Sequence, residues 1–270
     1  MKKTFAVIGE DARQQAAAMY LRGRGYPVAA ADEVYRADFI LLPMPLDAGK
    51  AGLARLLRAA KPGALALGGM VSPEAQAAAE AAGVVLLDYF AREELALRNA
   101  IPTAEGCIGL LMQHRRRTLW GSGLLVLGYG RIGRALAVRL TALGAHVTVA
   151  ARSAAQRAAA ETEGAAAISM EKLPAAAPNF DALVNTIPAP VVTAGVLRSL
   201  GKNLGGGPPL VIDLASRPGG TDFEAAKALG IPALHALSLP ARCAPVTAGA
   251  FVGQTVLDIL HERGELYDDE

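Results

Sequence analysis

Short runs of β-branched residues and leucine alternate with alanine-rich stretches along the whole chain. In the first hundred residues the apolar runs at 4–8, 39–42, 64–67 and 84–87, with a weaker one near Val28, read as strands. The stretches 12–24, 49–60 and 72–82 between them read as helices. Strands separated by helical stretches predict βαβ units and a parallel sheet. A second series follows at 124–127, 146–150, 182–185, 210–213 and 231–234, with helices in the intervals and 205–209 as a loop. Between the two series, Pro102 with Thr103 and Glu105 predicts a helix that opens there and runs to about Arg117, because proline fits a first turn and threonine caps one. The run Arg115–Arg117 then reads as a cationic helix terminus that complements the dipole. Beyond Pro240 and Pro245, Phe251, Val252, Val256, Ile259 and Leu260 recur at helical spacing and predict a terminal helix over 248–261.

The composition narrows the classes. Of 270 residues, 52% are hydrophobic and 19% charged, enough apolar material for a substantial core, which excludes disorder as the main state. Lys and Arg total 27 against 25 Asp and Glu, too balanced for the broad positive field that binding a phosphate backbone requires, so no nucleic acid partner is expected. Cys107 and Cys243 lie far apart with no CxxC or CxxH, so neither a structural zinc, nor any other metal, nor a disulfide framework is expected. The first apolar run spans four residues before Gly9, too short for a signal-peptide core, and no run reaches the roughly 18 residues of a membrane helix. The cytoplasm, with no membrane partner, is the expected setting.

The strongest motif is Leu-Leu-Val-Leu-Gly128-Tyr129-Gly130-Arg131-Ile132-Gly133, an apolar run passing into GxGxxG and then a helical pattern with Ile132, Leu136 and Leu140 on one face. In that setting Gly128 permits a tight turn, Gly130 lets backbone approach a pyrophosphate, and Gly133 allows close helix–strand packing. Arg131 and Ile132 open the helix whose N-terminus attracts the anion. A dinucleotide site is one reading and a purely structural turn the other.

The end of the next strand discriminates the cofactor, because an acidic side chain there holds the ribose hydroxyls of NAD. Here the chain has Ala150-Ala151-Arg152-Ser153, and no Asp or Glu occurs from Arg131 to Ala160. Arg152 can pair with a 2′-phosphate and Ser153 can donate to it, which favours NADP. The alternative is an exposed cation at a helix start with relaxed specificity. Thr186, Ile187 and Pro188 follow a later strand, and Leu214, Ala215 and Ser216 follow the next, at carboxyl ends where open α/β sheets bind ligands. These residues are expected along the cofactor. Arg217 offers a planar fork to a substrate carboxylate, and Asp213 or Asp222 can orient it or take a proton. The alternative there is a glycine-rich turn whose acids cap backbone amides.

In the first lobe, Gly9-Glu10-Asp11-Ala12-Arg13 places charge just after the first strand. Asp11, Arg13 and Thr103 are the substrate-binding candidates on that side, with an ordinary helix start as the alternative. Glu105 and His114 join Asp213 and Asp222 as candidate bases, although a lone histidine on a helix is more often structural. The expected fold is α/β: two doubly wound parallel-sheet lobes, a flavodoxin-like one over 1–100 and a Rossmann NADP-binding one over 101–245. The helix within 246–270 is expected to pack back on the first lobe.

Taken together, GEDAR at 9–13, IPTAEG at 101–106, the glycine fingerprint, AARS at 150–153, NTIP at 185–188, DLASRPGGTDF at 213–223 and APVTAG at 244–249 resemble the dipicolinate synthase A-subunit family of spore-forming bacteria. The likeness runs through nearly the whole chain in order, and DLASRPGGTDF is its most specific element. It implies one half of a two-component enzyme of sporulation. That enzyme converts 4-hydroxy-tetrahydrodipicolinate, or the dihydro form left by loss of water, into pyridine-2,6-dicarboxylate with NADP. It also implies a flavoprotein-like partner, the dipicolinate synthase B-subunit, as a separate chain beside a homo-oligomer of this one. The sequence departs from the family pattern at Trp120, where a histidine is expected, and at Val246, where a lysine is expected. Arg13 and Arg217, on opposite lobes of the expected cleft, would fix the two carboxylates of a ring substrate. An NADP-dependent 2-hydroxyacid dehydrogenase-like enzyme and a nucleotide-sensing subunit without chemistry are the competing readings. The former lacks the expected histidine after a proline near residue 240, and His235 substitutes poorly for it.

Overall fold

The computed structural model describes residues 2–47, 49, 52–201 and 207–266. Residues 50 and 51 of the helix expected at 49–60, Gly205 and Gly206 of the expected loop, and the last four residues of the chain lie outside the described residues. The chain divides into two compact units, one formed by Met1–Asn99 with Ala244–Glu270 and the other by Ala100–Cys243.

In the first unit β1 (Phe5–Val7), β2 (Val28–Ala29), β3 (Phe39–Leu41), β4 (Leu65–Gly68) and β5 (Val85–Asp88) form an all-parallel sheet in the order β2-β1-β3-β4-β5. This is the flavodoxin-like order, with its switch point between β1 and β3. Successive residues of a strand face opposite sides, so both faces must be covered. Phe5, Phe39, Leu41 and Leu67 pack on one side with Tyr89, while Ala6, Ile40, Leu42 and Ala66 pack on the other. Three helices follow the strands: α1 (Ala12–Gly23), α2 (Leu53–Arg58) and α3 (Pro73–Ala81). Asp11 caps α1, and Ser72 caps α3 ahead of a proline suited to a first turn.

Helix α4 (Glu93–His114) differs from the sequence expectation. It starts nine residues before Pro102, with Glu93 and Glu94 in the first turn, and proline sits inside it. It also ends at His114, so Arg115 directly follows its last turn and Arg117 lies beyond it. Arg115 donates to the Ser122 hydroxyl at 2.9 Å and Arg117 to the Asp181 carboxylate at 3.3 Å, while Asp181 also accepts the Gly123 amide at 3.0 Å.

In the second unit β6 (Gly123–Leu127), β7 (His146–Ala150), β8 (Ala166–Ile168), β9 (Ala182–Asn185), β10 (Leu210–Asp213) and β11 (Ala233–His235) pair in the order β11-β10-β9-β6-β7-β8, all parallel. Counted within the unit this is 3-2-1-4-5-6, the Rossmann order. Strand β8 was not expected from the sequence. Helices α5 (Arg131–Ala142), α6 (Ala154–Thr162), α7 (Leu173–Ala176), α8 (Ala194–Ser199), α9 (Phe223–Ala228) and α10 (Leu239–Cys243) fill the intervals.

The last helix, α11 (Pro245–Glu262), returns to the first unit and packs on α1 through Val252, Val256 and Leu260. Two glycines allow this approach: a Cβ on Gly249 would fall 2.2 Å from the Arg13 carbonyl, and one on Gly253 would fall 2.8 Å from Tyr20. Arg92 and Arg98 tie the same helix by ion pairs to Glu262 and Asp258. No helix among the described residues is long and apolar enough to cross a membrane.

Candidate functional site

The switch point of the second sheet lies between β6 and β9, and the glycine fingerprint occupies it. Gly128 has a φ of +91°, and a Cβ there would meet the Thr186 hydroxyl at 2.6 Å. A Cβ on Gly133 would lie 2.2 Å from the Gly128 carbonyl, so strand end and helix touch backbone to backbone. A Cβ on Gly130 would meet nothing beyond its own chain neighbours within 4 Å, which leaves open space at the start of α5. Gly130 is also the N-cap of α5 and contributes no side-chain acceptor. Two glycines close-packed and one facing open space is the cradle that a dinucleotide pyrophosphate needs, and these residues fit one. Exposed Arg131 and half-buried Ile132 start the helix.

At the end of β7, Ala151 is buried, so only its backbone can face a ligand, while Arg152 and Ser153 are exposed. The Ser153 hydroxyl accepts the Gln156 amide as cap of α6. Sequence reasoning missed Arg157, whose Nη1 donates to the carbonyls of Ala151 and Arg152 at 2.8 and 2.7 Å and fixes the loop that carries Arg152. It also missed a cluster behind the fingerprint. The Tyr129 hydroxyl donates to Glu163 at 2.6 Å, and Arg134 pairs with the same carboxylate. Burial and that carboxylate push the Tyr129 hydroxyl well above its ordinary range.

Thr186 donates to the Leu127 carbonyl at 2.7 Å and with Ile187 flanks the fingerprint, and Pro188 is exposed beyond them. Leu214 and Ala215 are buried and Ser216 exposed on the turn after β10. Asp213 is fully buried, and its carboxylate accepts Asn185 Nδ2 at 3.0 Å, the Ala215 amide at 2.9 Å and the Gly220 amide at 2.8 Å. With three donors in place its carboxylate shapes the turn that displays exposed Arg217. His235 supports the same turn, its Nε2 lying 2.9 Å from the Ala215 carbonyl and its ring stacking on Phe223.

The other candidate bases do not converge. Asp222 caps α9 by accepting the Ala225 amide at 2.9 Å. Glu105 is exposed on α4 with Arg139 at 3.9 Å, and His114 is exposed about two and a half turns further along the same helix. Thr103 is buried in that helix. Trp120, 77% exposed, lies against Gly144 beside the start of β7, at the opposite edge of the sheet from the fingerprint. Val246 is exposed in the first turn of α11.

In the first unit a shallow pocket opens at the switch point between β1 and β3, lined by Asp11, Arg13, Gln14, Met44, Tyr89 and Val252. Arg13 donates from Nε and Nη2 to the two oxygens of Asp11 at 2.9 and 2.8 Å and from Nη2 to the Met44 carbonyl at 3.0 Å. The guanidinium holds the Asp11 carboxyl below the usual carboxylate range. Tyr89 forms the floor, its hydroxyl donating to the Leu42 carbonyl at 3.3 Å, and burial raises its pKa. Gln14, also buried, donates to the Ile8 carbonyl. Neither Tyr89 nor Gln14 carries a motif that the sequence alone could flag. Among the described residues no group of His, Cys, Asp and Glu is placed to hold a metal.

Residues 105–199 match the family model of the D-isomer specific 2-hydroxyacid dehydrogenase NAD binding domain. The chain is 41% identical over 177 residues, 66% of its length, to the dipicolinate synthase A-subunit of Bacillus subtilis, and spans 58% of that relative's length. It superposes on the crystal structure of the dipicolinate synthase A-subunit from Bacillus subtilis with a TM-score of 0.84 and 32% identity, covering 98% of each chain. The dipicolinate synthase A-subunit of Bacillus halodurans gives 0.84 and 32%, over 96% of this chain and 97% of the other. D-lactate dehydrogenase of Escherichia coli, at 14% identity and a TM-score of 0.61, agrees in fold alone.

Proposed function

Because the chain belongs to the dipicolinate synthase A-subunit family, we propose that it oxidises the dehydrated form of 4-hydroxy-tetrahydrodipicolinate to pyridine-2,6-dicarboxylate, with NADP as electron acceptor. The observation that carries this reading is the likeness over 98% of both chains at 32% identity. In the reaction the dihydro ring loses one carbon-bound hydrogen as hydride and one proton, and becomes aromatic. NADP, when bound, supplies the hydride acceptor. The preference for NADP is supported by the end of β7, where Arg152 is exposed and no acidic residue repels a 2′-phosphate.

The chain's own residues bind and orient. Gly128, Gly130 and Gly133 with Arg131 and Ile132 cradle the pyrophosphate, and Arg157 holds the Arg152 loop. Arg217 takes a ring carboxylate through its planar fork, and Arg13, in the other unit, is a separate carboxylate-binding candidate. Asp213 holds the Arg217 turn. Glu105 and His114 are then the exposed groups to test for proton removal. A flavoprotein-like second chain, together with a homo-oligomer of this one, completes the proposed assembly.

The deciding experiment supplies freshly generated 4-hydroxy-tetrahydrodipicolinate and NADP with and without the candidate partner, beside a protein-free control for spontaneous oxidation. Product above the control is expected. No product despite demonstrated NADP binding and an associated partner would replace this reading with a 2-hydroxyacid dehydrogenase or a nucleotide sensor.

A further inference from the structure

Among the described residues, only Met70 and Ser238 combine a side chain with a left-handed backbone. Met70, at φ +53°, lies just past the carboxyl end of β4, the edge at which open parallel sheets bind ligands. It follows two glycines, yet the residue that bears the unfavourable conformation carries a long side chain, and that residue is 51% exposed. The conformation is tied down. Asp88 accepts the amides of Met70 and Phe90 through one oxygen at 3.1 and 2.8 Å, and that of Val71 through the other at 3.0 Å. The preceding Gly69 sits so close to the pocket wall that a Cβ would lie 2.6 Å from the Tyr89 ring and 2.9 Å from Met44 Cβ. Tyr89 and Met44 both line the pocket of Arg13.

An exposed side chain has little packing to stabilise it, so strain held at a ligand edge points to what the side chain touches when ligand is present. We propose that Met70 is a substrate-specificity residue, its thioether resting against the face of a planar ring whose carboxylate pairs with Arg13. A polarizable, unbranched side chain suits that contact. The inference rests on the ring dicarboxylate reading above.

The test compares wild type, Met70→Gly and Met70→Leu by titration with pyridine-2,6-dicarboxylate, by KM for freshly generated 4-hydroxy-tetrahydrodipicolinate, and by thermal melting. Glycine relieves the backbone, so the melting temperature of Met70→Gly should hold or rise. Its ring affinity should fall and its KM rise about tenfold, and Met70→Leu should recover most of the loss. NADP affinity, measured separately, should be the same in all three. Unchanged ring affinity in Met70→Gly overturns the proposal, as does a melting temperature lowered by more than about 5 °C, which would make the side chain a packing element. A wild-type protein that neither binds the ring dicarboxylate nor produces it overturns the functional reading itself.

Discussion

The amide of Asn185 donates to the carboxylate of Asp213 at 3.0 Å across the buried ends of two adjacent strands. Neither side chain reaches solvent. Asn185 spends its other hydrogen bonds on the Ile187 backbone, so the pair links the segment beside the glycine fingerprint to the turn that displays Arg217. Replacing Asp213 with Asn puts an amide group where one of the backbone N–H donors now points. The loss of a buried acceptor is expected to cost about 1–3 kcal/mol, read as a melting temperature lowered by several degrees. A melting curve identical to wild type would contradict the shaping role.

The three fingerprint glycines should separate in their effects. Gly130→Ala adds a methyl group to open space at a φ of −84°, so stability should stay within about 0.5 kcal/mol while NADP affinity falls. Gly133→Ala forces a methyl group to 2.2 Å from a carbonyl oxygen and should lower stability and affinity together. Calorimetric melting with fluorescence titration of NADP distinguishes the two patterns.

On the proposed NADP reading, Arg152→Asp is expected to weaken NADP binding far more than NAD binding. Loss of a charge-assisted contact worth about 1.5–3 kcal/mol corresponds to roughly ten- to hundred-fold weaker NADP binding, with NAD affected far less. Equal loss of both in parallel titrations would refute a 2′-phosphate contact at this position.

The Asp11–Arg13 pair gives a pH signature. The folded carboxyl is held below its unfolded value, so the pair contributes stability above the unfolded pKa of about 4, and that contribution is lost as pH falls through the folded value. The Asp11 side chain is 41% exposed, so the contribution should stay below about 1 kcal/mol. Urea midpoints of wild type and Asp11→Asn should therefore differ at pH 7 and draw together towards pH 3. A difference that persists unchanged in acid would overturn the ion-pair origin, since asparagine caps a helix as well as aspartate does.

The elements most legible in the sequence were those with a period or a fixed spacing. The strands at 146–150, 182–185 and 210–213 were read to the residue, because buried parallel strands are continuous apolar runs bounded by turn residues. Strand β8 escaped because Ala166-Ala167-Ile168 carries almost no β signal, and its place comes from pairing with β7. The start of α4 was misplaced because Pro102 satisfies the rule for a first turn equally well from inside this longer helix. The hydrogen bonds of Asp213 to Gly220 and Asn185 were not legible because its sequence neighbours carry no sign of those donors. The partnership of Arg117 with Asp181 spans 64 positions, a separation at which only the fold brings charges together.

The close seat of Gly249 against Arg13 also bears on how the protein is made. The second unit is one continuous stretch, complete as soon as residue 243 has left the ribosome. The first unit begins ahead of the second in the chain, yet its helix α1 presents Ala17 and Leu21 to a partner helix that is synthesised only after the second unit. Until α11 emerges, that apolar strip has no cover, and the backbone around Arg13 lacks the neighbour that holds it. A chain truncated after residue 243 and released would therefore carry a finished nucleotide-type unit joined to an unfinished one. The unfinished unit is the part a chaperone would have to shield.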